Sequence, residues 1–229
     1  FFPMNKGPEF SPMMSTLIRD IKAVLSAQAK RLKRPDYLLT ANVPLTPELA
    51  LDCGLDTAAW DRDGLLDYIA AGPYQPYMGH RMESWKKTLE HGTPAFAYVN
   101  AFREAEELRA AAANAYGSGA NGVYLFNYPC LLELCAQIPR SLDDPGVEPS
   151  GRFGFGQFGA KPFESVDLAK TPRALDEIVD PEVIRHKNKR FQFYIYNDTG
   201  YRHNSPEAVS FDRSQQDRLL KAPFRCFED

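Results

Sequence analysis

The chain has 229 residues, of which 44% are hydrophobic and 25% charged, with a formal net charge of -3 at pH 7. That balance suits an ordinary globular protein with a sizeable core, and it offers no basic excess that would hold nucleic acid. No apolar run reaches the roughly 20 residues needed to span a bilayer, so no membrane segment is expected and no signal peptide remains to be read.

The opening Phe1-Phe2-Pro3-Met4-Asn5 lacks an initiator methionine and reads as the tail of a strand, as though the chain were a piece of something longer. Glu9 is expected in the loop that follows. From Ser11-Pro12, a cap and a proline suited to a first helical turn, Met14, Leu17, Ile18, Ile21, Val24 and Leu25 recur at helical spacing to about Lys33. The basic cluster Lys30 to Arg34 closes this helix, where cations complement the dipole and the last carbonyls. Next, "DYLLTANVP" (Asp36 to Pro44) reads as a buried strand with a polar exit at Asn42.

The pattern then recurs. Thr46-Pro47-Glu48 opens helical sequence, Gly54 breaks it, and Asp56-Thr57 restarts a shorter helix carrying Trp60. Gly64 ends that helix and "LLDYIAAGPY" follows as the next strand. "MGHRMESWKKTLEHG" reads as a helix running to a C-cap at Gly92, and "TPAFAYVN" as a strand. "FREAEELRAAAANAYGSG" is a strong helix former that delivers "ANGVYLFNYP". The four strand exits, Asn42, Ala71, Asn100 and Asn127, lie about 27 to 29 residues apart, the scale of one βα unit. Four such units predict a parallel sheet covered by helices. A doubly wound sheet would give this pattern too, but "GFGQFG" (Gly154 to Gly159) does not follow a strand and open a helix as a dinucleotide turn must. A (β/α)8 barrel takes about 250 residues, so four units would be the second half of one.

Residues 1–139 are expected to form these units. Residues 140–229 read as a loop-rich appendage, with a short helix near Pro172 to Val179, an alternating strand "RFQFYIYND" (Arg190 to Asp198) and the possible start of a β domain.

The runs "PDYLLTANVP", "CGLDTAAWDRDGLLDYIAAGPY", "GTPAFAYVNA" and "LRAAAANAYGSGANGVYLFNYP", in this order, resemble the later βα units of the glycosyl-hydrolase-like family 10 group of bacterial (β/α)8 proteins. The resemblance covers Phe1 to Pro139 and is sharpest in Gly54-Leu55-Asp56, Trp60, Gly64-Leu65 and Asp67, and in "GVYLFNY". It implies that the strands are the fifth to eighth of a barrel and that the protein hydrolyses glycosidic bonds. Such hydrolysis uses two carboxyl groups about 5 to 10 Å apart, one protonated and one ionised. Barrels of this kind commonly carry an acid on the fourth strand, and this chain starts just past that point. The group favours a polar, often basic, residue where Asn42 stands. The resemblance also suggests an extracytoplasmic location, and a second polypeptide carrying the first four units is the partner expected.

Candidate residues follow from their places. Sugars present hydroxyls around apolar ring faces, so the amides and flat rings at the strand exits, Asn42, Tyr74, Tyr98, Asn100, Asn127 and Tyr128, are the expected carbohydrate contacts. The alternative for this group is that Tyr98 faces a helix and that Asn100 and Asn127 merely end strands. Glu9 and Glu104 are the carboxylates near enough to strand exits to serve as acid or base. Asp56 reads as a helix cap, and Asp67 falls at the far end of its strand. His80, His91, His186 and His203 do not converge, so no metal or other cofactor is expected. No lysine stands at a strand exit as a Schiff-base nucleophile would, and Ser118 in "GSG" is a turn serine. Cys53, Cys130, Cys135 and Cys226 lack CxxC spacing and read as buried thiols, with a disulfide as the alternative. Three functions remain: a carbohydrate-active barrel enzyme, a sugar-binding barrel without catalysis, and an unrelated barrel isomerase or lyase.

Overall fold

The computed structural model describes residues 6–72, 80–100, 105–126 and 171–191. In chain order these form α1 (Gly7–Arg31), β1 (Thr40–Val43), α2 (Pro47–Asp52), α3 (Thr57–Arg62), β2 (Tyr68–Ala71), α4 (Met82–Thr88), β3 (Ala95–Asn100), α5 (Ala105–Gly117), β4 (Gly122–Phe126), α6 (Thr171–Glu177) and α7 (Pro181–Arg185). The protein is α/β, and its four strands make one parallel sheet in the order β1-β2-β3-β4.

Local chemistry explains most of the element boundaries. Thr46 caps α2 by accepting the Leu49 N–H, and Asp56 caps α3 by accepting the Ala59 N–H at 3.0 Å. Helix α1 begins at Gly7, earlier than Ser11-Pro12 suggests, and encloses Pro12. Pro12 has no N–H to give the Pro8 carbonyl, but the Ser11 hydroxyl supplies the missing donor at 3.1 Å, so the first turns survive. This places Glu9 in the first helical turn, not in a loop. Strand β1 begins at Thr40 instead of Tyr37, because the chain reaches β2 only at Leu39. Before that point the Arg34 guanidinium lies 4.0 Å above the Tyr37 ring and Leu38 is exposed. Helix α4 stops at Thr88, short of Gly92. Cys53, expected as a buried thiol, is exposed as the residue capping the end of α2. The other three cysteines, most of "RFQFYIYND" and "GFGQFG" lie outside the described residues.

The described helices pack on one face of the sheet. Val43, Ile69, Ala71, Ala95 and Ala97 meet Trp60, Met82, Trp85 and Leu89, with Met14 and Ile18 of α1 alongside. Val99, Val123 and Leu125 continue that face into a second cluster with Leu108 and Ala112 of α5, which Ala174 of α6, Ile178 and Ile184 of α7 complete. Both buried indoles are satisfied inside this layer: Trp60 Nε1–H donates to Ser15 Oγ at 2.8 Å and Trp85 Nε1–H to the Leu45 carbonyl at 2.9 Å.

The amino ends of the strands carry a repeated clasp. Asp67, just before β2, accepts the Leu39 N–H at 2.7 Å on its carboxylate, and its own N–H donates to the Leu39 carbonyl at 2.8 Å. Asn121, just before β4, does the same with Ala95, with both hydrogen bonds at 2.9 Å. Midway between them stands Pro94, which offers only a carbonyl, accepting the Ile69 N–H at 2.9 Å. There the Asp61 carboxylate takes over, accepting the N–H groups of His91 and Thr93 at 2.8 and 3.0 Å.

Candidate functional site

Residues alternate across a strand, so the face away from the helices carries Thr40 and Asn42 of β1, Tyr68 and Ala70 of β2, Phe96 and Tyr98 of β3, and Gly122 and Tyr124 of β4. This second face is aromatic. The Tyr68 and Phe96 rings meet edge to face at 5.0 Å, and the Tyr98 and Tyr124 rings lie 5.8 Å apart, tilted by 31°. Glycine makes room for the large groups. A Cβ on Gly122 would fall 2.6 Å from the Phe96 ring, and one on Gly72 would fall 2.5 Å from the Tyr98 Cβ. Large and small side chains therefore alternate between neighbouring strands at one level, Ala70 and Gly122 flanking Phe96.

Tyr98 is buried on this face beside Tyr124 and does not face a helix. Tyr124 was not singled out by the sequence, although it stands directly opposite Tyr98 in the register. The repeat could have found it, because residues one unit apart take equivalent places. Asn42 is exposed on the same face at the level of Ala70 and Phe96, two strands and roughly 10 Å from β3. Asn100 is the last residue of β3, in register with Phe126. Glu9 is exposed in the first turn of α1, where the neighbouring Gly7 abuts Asp52 and Gly54 at the end of α2. Tyr74, Glu104, Asn127 and Tyr128 lie outside the described residues.

The described carboxylates with perturbed acidity all serve the scaffold. Burial alone would raise the pKa of Asp61, but hydrogen bonds from the Thr93 side chain and from the His91 and Thr93 N–H groups outweigh it and hold the pKa below the usual aspartate range. Asp67 behaves alike, with burial overcome by the Leu39 N–H and by Lys22, whose Nζ is 3.0 Å away. A general acid needs the opposite shift. His80 lies just before α4, on the side of the strands' carboxyl ends; burial lowers its pKa to about 4, so it is neutral at pH 7. Among the described residues no three His, Cys, Asp or Glu side chains gather as metal ligands, and no helix is long and apolar enough to cross a membrane. No family model matches the chain, and no curated protein matches it.

Proposed function

We propose that the chain is the carboxyl half of a (β/α)8 barrel acting on carbohydrate, with sugar bound at the strands' carboxyl ends. One observation carries this reading: four consecutive strands run parallel in chain order, the described helices cover one face, and the other face is lined with interlocked aromatic and small residues. A doubly wound sheet reverses its strand order and places helices on both faces. A barrel does neither, and its interior is filled by side chains in layers from alternate strands. The resemblance of the βα runs to the glycosyl-hydrolase-like family 10 group supplies the substrate class, an oligo- or polysaccharide.

In this reading Tyr98 and Tyr124 wall the cleft, and Asn42, Tyr74, Asn100, Asn127 and Tyr128 are the hydrogen-bonding contacts. Glu9, in the first turn of α1, and Glu104, between β3 and α5 in sequence, are the candidate acids. Hydrolysis needs a second carboxyl group, supplied from outside this set. The second reading is a sugar-binding barrel without catalysis. It is favoured by the absence of any carboxylate on the aromatic face among the described strand residues. The test pairs calorimetric binding of an oligosaccharide panel with an assay of reducing-end release, on the parent chain and on Tyr124→Ala. Binding weakened at least about tenfold by the substitution supports the cleft. Release of reducing ends selects hydrolysis, and binding without release selects the second reading. No binding to any member of the panel overturns both.

A further inference from the structure

The entrance to β4 is made of a chemically fragile pair. An asparagine followed by glycine is the dipeptide most open to ring closure, because no side chain shields the glycine nitrogen from the asparagine Cγ. Asn121-Gly122 is the one such pair in the chain. The fold requires both members. Asn121 supplies the amide oxygen that accepts the Ala95 N–H at 2.9 Å, and its own N–H donates to the Ala95 carbonyl at 2.9 Å. Gly122 leaves the space that the Phe96 ring fills, since a Cβ there would lie 2.6 and 2.7 Å from two of the ring carbons. Asn121 is exposed, so water reaches it.

Neighbouring candidates lack one of these features. Asn42 is exposed, but the nitrogen after it belongs to the β-branched Val43. Asn114 is buried inside α5, where the helix fixes its backbone. Asp63-Gly64 has the glycine, but the Asp63 carboxylate is paired with Arg19 at 2.9 Å, and an ionised carboxylate resists attack. The Gly64 nitrogen is also engaged, donating to the Asp61 carbonyl at 3.0 Å.

We propose that Asn121 is a site of spontaneous deamidation, gated by its own clasp, whose two products act oppositely on the sheet. The Gly122 nitrogen attacks Asn121 Cγ. The N–Cγ bond forms, the Cγ–Nδ2 bond breaks, and ammonia leaves with the proton that the Gly122 nitrogen gives up. Water then opens the cyclic imide at either of its carbonyls, giving aspartate or isoaspartate, and no other reactant is needed. Ring closure requires the side chain to turn from Ala95 onto the Gly122 nitrogen, so it waits for the clasp to open. Aspartate can close the clasp again, as the carboxylate of Asp67 does before β2. Isoaspartate cannot hold the register. Its main chain runs through the former side chain, and the extra backbone atom falls between the Ala95 pairing and Gly122, so Gly122 and Tyr124 lose their places opposite Phe96 and Tyr98. None of this depends on what the aromatic face binds.

The test is incubation of the full chain at mildly alkaline pH, native and in urea, followed by peptide mapping with mass spectrometry. In the unfolded chain, exchange of NH2 for OH should appear at Asn121 ahead of Asn42 and Asn114. In the native chain the reaction at Asn121 should be at least about tenfold slower. A methyltransferase specific for isoaspartate should label residue 121 of the aged chain and leave that position unlabelled in Asn121→Asp. That variant, the aspartate product made directly, should unfold at the temperature of the parent. The fraction carrying isoaspartate at residue 121, separated by chromatography and refolded, should unfold at a lower temperature. Its near-ultraviolet circular dichroism from the Tyr98 and Tyr124 pair should be reduced. Equal rates in the native and unfolded chains, or no reaction at Asn121 in either, overturns the gated site. An isoaspartate fraction as stable as the parent, or an Asn121→Asp variant as weak as Asn121→Ala, overturns the opposed products.

Discussion

At the scale of single residues, the clasp before each strand does the most with the fewest atoms. Asp67 and Asn121 have the same task, and Asn121 shows that an amide oxygen suffices for it. Asp67→Asn should therefore cost less than about 1 kcal/mol, the worth of the partly exposed Lys22 pair. Asp67→Ala, which strands the Leu39 N–H, should cost about 1 to 3 kcal/mol. Urea unfolding of the two variants checks this, and equal losses would show that charge, not hydrogen bonding, holds β1. Local capping was legible in advance, since Thr46 and Asp56 bond three residues along the chain. The clasps were not. Asp67 reaches back 28 residues and Asn121 reaches back 26, and no local pattern announces a partner at that distance. Asp67 was recognised as lying at the amino end of its strand, but its function there was invisible.

At the scale of elements, the alternation of strands and helices was readable because each one meets a single, periodic demand: apolar positions every third or fourth residue in helices, short apolar runs in strands. The ends were harder to read. Pro12 looked like a helix start because the rescue of the Pro8 carbonyl by Ser11 depends on side-chain geometry. The same helix begins against the end of α2 with no space to spare. A Cβ at Gly7 would lie 2.0 Å from the Asp52 carbonyl oxygen and 2.5 Å from the Gly54 nitrogen, both backbone atoms that cannot swing aside. Gly7→Ala should therefore lower stability by about 1 to 3 kcal/mol despite its better helix propensity. Gly117→Ala, within the last turn of α5, is the natural control for propensity alone. A Gly7→Ala variant as stable as the parent, by thermal unfolding, would mean that α1 and α2 are free to separate.

At the scale of the whole molecule, distant parts of the chain are joined by charge. Arg109 of α5 bonds to Glu177 of α6 at 2.7 Å with both side chains largely buried, and Arg190 reaches Glu107 at 2.6 Å. Burial pushes the Glu177 carboxyl up, but Arg109 and Lys187 outweigh it and hold the group below its ordinary value of 4.5. The pair therefore adds stability that is fully present above that ordinary value and is lost as the pH falls through the lowered one. Arg109→Met should cost about 2 to 4 kcal/mol at pH 7, where Glu177 loses its closest countercharge. As the pH falls through the lowered value the loss should shrink, since the neutral acid needs no partner. A loss that stays the same as the pH is lowered, measured by denaturant titration, would assign it to packing. None of this docking was foreseeable, although a short helix near Pro172 was expected, because a sequence shows which residues are charged and not which helix they will meet. The clasps carry one more implication. Among the described residues the side-chain clasps lie at the strands' amino ends, so groups at the carboxyl ends can be exchanged without touching a clasp. The molecule separates what must be kept from what can be rewritten, and a new ligand preference could arise on it by exchange of those groups alone.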